Sequence, residues 1–173
     1  MVWTAPDVEQ ADEPVIGDDR TILTAFLDGQ RDYLLHKCAG LTGEQLARRA
    51  VPPSTLSLLG LLRHMAEIER SWFRRRVAGA DVPWLYVRDD DNDADFNDLE
   101  PTQAEEAYAC LLRERKLADA AVADIALDDT FVHTRWGEMS LRWVFHHMLV
   151  EYSVHNGHAD LLRQCTDGAT EPD

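Results

Sequence analysis

The chain has 173 residues, 45% of them hydrophobic and five of them tryptophan, which is material for one domain whose core needs neither metal nor disulfides to fold. Seventeen basic residues against 32 acidic ones give a net charge of −15; this excludes free nucleic acid and anionic membrane surfaces as partners, since both are recognised through clustered Lys and Arg. Cys38, Cys110 and Cys165 are too few and too scattered for a disulfide framework or a thiolate zinc knuckle, and they fit a reducing cytoplasm.

The first 17 residues are rich in Pro and acid and have no basic or apolar signal segment, so they are expected to lie along the surface. A first helix is predicted from Asp19 to Ala39, with Ile22, Leu23, Phe26, Leu27, Tyr33, Leu34 and Cys38 at helical spacing and Gly40 as its stop. Thr42–Pro53 reads as a short helical turn, then a break, because continuing a helix through Pro53 would cost about 3 kcal/mol.

A second helix follows from Ser57 to Val77, with Leu58, Leu61, Leu62, Met65, Ile68, Trp72 and Phe73 on its core face. Gly60 inside it predicts close packing against a neighbouring backbone. Residues 81–100 form the longest irregular stretch. Trp84, Leu85 and Tyr86 should fold back on the helices, and the acid-rich remainder should be a solvated surface loop with little regular structure. Asp89, Asp91, Asp93, Asp95 and Glu100 fall at calcium-loop spacing. However, Ala94 stands where the turn wants glycine and no helix enters, so a calcium loop is not expected.

The third helix is predicted over Thr102–Ala123, and a connector at Leu127–Gly137 has room for a bent strand or turn. The fourth starts at Ser140, a plausible N-cap, and runs to Gln164. No apolar stretch is long enough to cross a bilayer. The predicted fold is all-α, a four-helix bundle in a single domain, and its longer links permit a crossover.

The histidines carry the chemistry. On the fourth helix His147, Glu151, His155 and His158 are separated by 4, 4 and 3 residues, a stripe ~80° wide beside Val144, Met148, Leu161 and Leu162. A carboxylate on an interior face needs a partner, and a cation shared by Glu151 and His155 would supply one. His64 on the apolar face of the second helix completes a set of three N and O ligands with room for water or substrate, as in catalytic zinc sites. His147 and His158 fit groups that orient the ligands or line a pocket. Two blander assignments stay open. His64 alone also fits a core histidine bonded to a carbonyl, and Glu151 with His155 an i,i+4 ion pair on a half-exposed face. His36, His133 and His146 have no motif support, and no serine or cysteine nucleophile motif is present.

The segments LLGLLRHMAEIERSWF and SLRWVFHHMLVEYSVHNGHADLLR, with APDVEQADEP and KCAGLTGEQLARRAVPPSTLSLLG, resemble the DinB-like superfamily, in particular an actinobacterial branch catalogued as a domain of unknown function. The resemblance implies a four-helix bundle of up-down-down-up connectivity, a divalent metal and, since many members are dimeric, room for a homodimer. The usual ligands, one His on the second helix and a His-x-x-x-His pair on the fourth, fall on His64, Glu151 and His155. Glu151 departs from the all-histidine pattern and is similar to the His-Glu-His site of the mycothiol-dependent maleylpyruvate isomerase. That enzyme has a further C-terminal domain, so only its metal-plus-thiol scheme is carried over. The resemblance thus implies a cytoplasmic metal-dependent transferase that adds a low-molecular-weight thiol, mycothiol foremost, to a small electrophile. Zinc is the expected metal and nickel its competitor. A metal-dependent hydrolase of a small amide or ester and a non-catalytic metal-binding protein are the alternatives. No catalytic residue beyond the metal set is assigned.

Overall fold

The computed structural model describes residues 2–9 and 14–170, so the expected surface lead-in is covered except at residues 1 and 10–13. The chain is mostly helical, with one small sheet. In order it forms α1 (Asp19–Cys38), α2 (Gly43–Leu46), α3 (Leu58–Glu69), a π-helical continuation (Arg70–Val77), α4 (Ala94–Asn97), a 3-10 turn (Pro101–Gln103), α5 (Ala104–Val122), β1 (Thr130–His133), β2 (Gly137–Ser140) and α6 (Leu141–Asp167).

Local chemistry sets the ends of the long helices. The side chains of Asp18, Ser57 and Ser140 accept from the backbone N–H groups of Thr21, Gly60 and Trp143, satisfying donors that a helix start leaves free. Gly40, just past α1, has φ +74°, and α6 runs three residues beyond Gln164 to end on Gly168 at φ +81°, a left-handed cap that glycine adopts without strain.

Contacts along the helices give their directions. Asp19 pairs with Arg142, Asn156 donates to the carbonyl of Gln30, Tyr33 donates to Asp160, and Arg163 donates to the carbonyls of Lys37 and Ala39, so α1 and α6 run parallel. Arg20 meets the carbonyls of Val122 and Ile125 while Arg115 meets Asp32, so α5 runs opposite to α1. His64 lies against His155 and Phe73 against Phe145, so α3 runs opposite to α6. Leu27, Leu34, Leu58, Leu61, Leu62, Leu111, Val144, Met148 and Leu162 fill the shared core. Phe26, Leu112, Leu117 and Leu161, apolar positions of the predicted helices, are instead exposed.

The predicted all-helical chain is corrected in one place. The connector before α6 forms an antiparallel hairpin in which Phe131 pairs with Met139 and His133 with Gly137. The second helix differs as well: its last turns are wound as a π-helix. There the fully buried carboxylate of Glu114 accepts from both Arg70 and Arg74 at 2.6–3.0 Å, holding the rewound segment against α5.

The cysteines are inert or peripheral. Cys38 and Cys110 are buried and Cys165 exposed. Burial pushes the Cys38 thiol up to about 12, the opposite of what its neighbour Lys37 would suggest, and a thiol held protonated is a poor nucleophile. Native protein treated with iodoacetamide is expected to take one label, at Cys165, and unfolded protein three, as read by intact mass. Labelling of Cys38 in the native state would contradict its burial.

Candidate metal centre

One face of α3 organises the acidic segment. Gly60, Arg63, His64 and Glu67 follow one another at spacings of 3, 1 and 3, so they share that face. A Cβ on Gly60 would sit 3.1 Å from the Phe96 ring, so the close approach there is made by a side chain of α4 and not, as expected, by a neighbouring backbone. Arg63 donates to the carbonyls of Ala94 and Asp98, and its guanidinium covers the Tyr86 ring at 4.3 Å. The buried Glu67 takes the N–H groups of Leu85, Tyr86 and Val87 on one carboxylate oxygen at 2.7–3.2 Å.

The solvated-loop expectation is therefore corrected. Asp89, Asp90, Asp93 and Asp98 are exposed, but Ala94 and Asp95 are buried in α4. Leu85 and Tyr86 do fold back on the core, while Trp84 stays 42% exposed beneath the guanidinium of Arg75.

Asp95 is the residue that the sequence reading missed. Its Oδ2 lies 2.7 Å from His64 Nδ1. A carboxylate only accepts, so Nδ1 carries the proton and the Nε2 lone pair is left as the ligand atom. Composition places Asp95 among the solvated acids, yet its flanking Ala94 and Phe96 signal that this part of the run is buried.

The predicted ligands converge. His64, Glu151 and His155 each offer one ligand atom, and the three atoms lie within 4.8 Å of one another. The His64 and His155 rings stand 4.7 Å apart at 62°. Glu151 lies between two histidines of its own helix, 3.4 Å from His147 Nε2 and 3.7 Å from His155 Nε2. Its side chain is 28% exposed, less enclosed than the stripe implied. The ion-pair assignment and the ligand assignment therefore describe the same geometry.

The donor set fits a divalent metal on two further observations. His155 Nδ1 is buried without a hydrogen-bond partner, a costly arrangement that marks this imidazole as held for something other than core bonding. Burial, with His64 and His158 alongside, also pushes His155 down to about 4, and the neutral imidazole is the form that binds metal. His147 is likewise lowered, by burial against the opposing pull of Glu151.

The remaining histidines separate clearly. The His158 ring is 5.5 Å from that of His155, and its Nδ1 is also buried and unpartnered, so it lines the side of the cluster toward the C-terminal end of α6. His147 lines the outer side, its ring 4.9 Å from Trp143 and 4.5 Å from Trp72. His36 and His146 are exposed, and His146 Nδ1 bonds the carbonyl of Arg142. His133 joins the tryptophans rather than the ligands.

No helix among the described residues is long and apolar enough to cross a membrane. No curated protein matches the chain. The family model described as mycothiol-S-transferase matches residues 22–168, which is most of the chain and includes every residue of the cluster, so the chain belongs to the mycothiol-S-transferase family.

Proposed function

We propose that the protein is a metal-dependent transferase that joins mycothiol to a small electrophile. The supporting observation is the convergence of His64, Glu151 and His155 within 4.8 Å, with Asp95 bonded to the first, in a chain of this family. The architecture is read as a DinB-like four-helix bundle of up-down-down-up connectivity, α1 and α6 one way and α3 and α5 the other, in a single cytoplasmic domain able to dimerise. His64 Nε2, a Glu151 oxygen and a His155 nitrogen would hold Zn²⁺, the ion best suited to an open site with two imidazoles and a carboxylate; nickel is the competitor. Bound there, the ion would keep a thiol as its thiolate near pH 7.

In the overall reaction the sulfur lone pair forms a C–S bond. The pair displaced from the carbon leaves with a departing group or moves onto a conjugated oxygen, and the thiol proton passes to water or to product. Asp95 fixes the His64 ring, and His147 and His158 wall the cluster on its two sides.

The decisive experiment is metal analysis of natively purified protein, followed by conjugation assays with and without mycothiol. Turnover should require both, stop with a strong chelator and return with zinc. Turnover without thiol would identify a hydrolase. Bound metal with no turnover on any electrophile would identify a non-catalytic binding protein. Asp95→Ala is expected to lower metal affinity roughly 10–100-fold, the usual cost of losing the group that orients a ligating imidazole. Competition with a fluorescent chelator measures this, and an unchanged affinity would remove Asp95 from the site.

A further inference from the structure

Beside the cluster lies a feature that neither the family nor the ligand set explains. Five rings, Trp72, His133, Trp136, Trp143 and His147, form one continuous aromatic surface. Trp72 is the buried centre, lying nearly parallel to Trp136 at 5.8 Å and to His133 at 5.8 Å. Trp143 stacks on His147 at 4.9 Å and 15°, and His147 reaches Glu151 at 3.4 Å, so the surface begins where the ligand set ends. The hairpin supplies His133, which pairs with Gly137, and Trp136, the last residue of its turn.

The outer members are open to solvent, Trp136 by 50% and Trp143 by 42%. With Glu138, Met139 and Ser140 they line a cavity of about 520 Å³, room for a small ligand. Leaving two indoles half in water beside such a cavity forfeits part of the burial that their apolar area would otherwise gain.

The charges at this surface are also unusual. In a chain with 32 acidic and 17 basic residues, most guanidiniums have carboxylate or carbonyl partners. Arg76 and Arg135 have no carboxylate partner among the described residues. Arg76 lies over Trp72 at 4.5 Å and donates to the Ser71 hydroxyl, and Arg135 lies over Trp136 at 5.9 Å. Glu138, on the cavity wall, accepts from the Thr130 hydroxyl at 2.8 Å and keeps its negative charge, so the guanidiniums must outweigh it.

We propose that this aromatic surface is the electrophile's subsite and that it takes a flat aromatic ring bearing a carboxylate, the ring stacking on Trp136 and Trp143 and the carboxylate meeting Arg76 and Arg135. The proposal rests on the thiol-transfer function and gives it a substrate class. Offset stacking on indole rewards a planar π-system over a saturated ring of similar size, and a guanidinium without a carboxylate partner rewards an anion over its neutral amide or ester.

The test measures binding first, without thiol, by calorimetry. Naphthoate should bind about tenfold more tightly than naphthamide and roughly fivefold more tightly than cyclohexanecarboxylate. Arg76→Met and Arg135→Met should each shrink the first ratio, whereas Arg113→Met, on the exposed face of α5, should keep it. Trp143→Leu should shrink the second ratio and is the safer variant, because Trp136 also supports the hairpin. Equal binding of acid and amide, or tighter binding of phenyltrimethylammonium, would overturn the proposal. So would a change from dimer to monomer in Trp143→Leu without any naphthoate binding, which would make the surface an interface between copies.

Conjugation of para-(bromomethyl)benzoate and its methyl ester then separates the two readings. In this reaction the thiol sulfur forms the new C–S bond, bromide leaves with its electron pair, and the thiol proton goes to water. Thiol-dependent turnover that does not favour the acid overturns the subsite alone. Naphthoate preference without any conjugation overturns the transferase alone.

Discussion

Replacing His155 with alanine is expected to strip most of the bound metal while the helices remain folded. The imidazole supplies one of three ligand atoms that lie within 4.8 Å of one another. Losing it should weaken binding by more than the roughly 10–100-fold that removal of an orienting group costs. The fold should survive because no protein donor or acceptor is orphaned: His155 Nδ1 already lacks a hydrogen-bond partner. Its closest side-chain neighbours are the rings of His64 and His158 and the Glu151 carboxylate at 3.7 Å, and the leucine core is built elsewhere on α1, α3, α5 and α6. Metal per chain by plasma mass spectrometry, paired with a thermal melt by circular dichroism, reads both halves of the expectation. Full metal occupancy in His155→Ala would refute the ligand assignment, and loss of helicity would show that the histidine belongs to the core.

The site was legible where periodicity alone fixes neighbours. On α6 the 4, 4, 3 spacing puts His147, Glu151, His155 and His158 on one face whatever the rest of the chain does, and His64 announces itself by its position among leucines. The helix ends were legible for the same local reason, since Ser57, Ser140 and Gly40 act through bonds or dihedrals that span a few residues. What could not be read depends on pairings across the chain. Asp95 is separated from His64 by 31 residues, and composition assigns it to a solvated run because its neighbours Asp93 and Asp98 are solvated. The connector has room for a strand on sequence grounds, but its pairing into a hairpin is not legible there, because four-residue strands carry too little alternation to fix a register and the outer residues Val132 and Trp136 break the apolar-inward rule. The π-helical turns are not legible in the local sequence, and the Glu114 carboxylate that pairs with Arg70 and Arg74 there lies on another helix.

The least legible feature carries the second large effect. Arg31 of α1 and Glu69 of α3 are both fully buried and joined by two hydrogen bonds of 2.7 Å. Asp119 of α5 accepts from the same guanidinium at 2.9 Å, and the Tyr152 hydroxyl of α6 donates to Glu69 at 2.9 Å. One network therefore ties all four long helices, and it does so one residue from Glu151 of the ligand set. Although burial works against its charge, Glu69 keeps the Arg31 guanidinium firmly protonated. Arg31→Ala would leave the Glu69 carboxylate buried with, among the described residues, only the Tyr152 hydroxyl as donor, and breaking a buried pair from one side costs about 3–5 kcal/mol. The double replacement Arg31→Met with Glu69→Met removes both charges and should recover much of that loss, because apolar side chains of similar volume need no partner. Tyr152→Phe, which leaves Arg31 and Glu69 paired, should cost about 1.5–3 kcal/mol, the range for a hydrogen bond to a charged group. Urea unfolding of the four proteins measures the series. A single Arg31→Ala variant no less stable than Tyr152→Phe would show that the network contributes nothing beyond ordinary hydrogen bonds. If the order holds, metal affinity should fall in Arg31→Ala in step with stability, since α3 and α6 present His64 and Glu151 to each other only while this network keeps them in register.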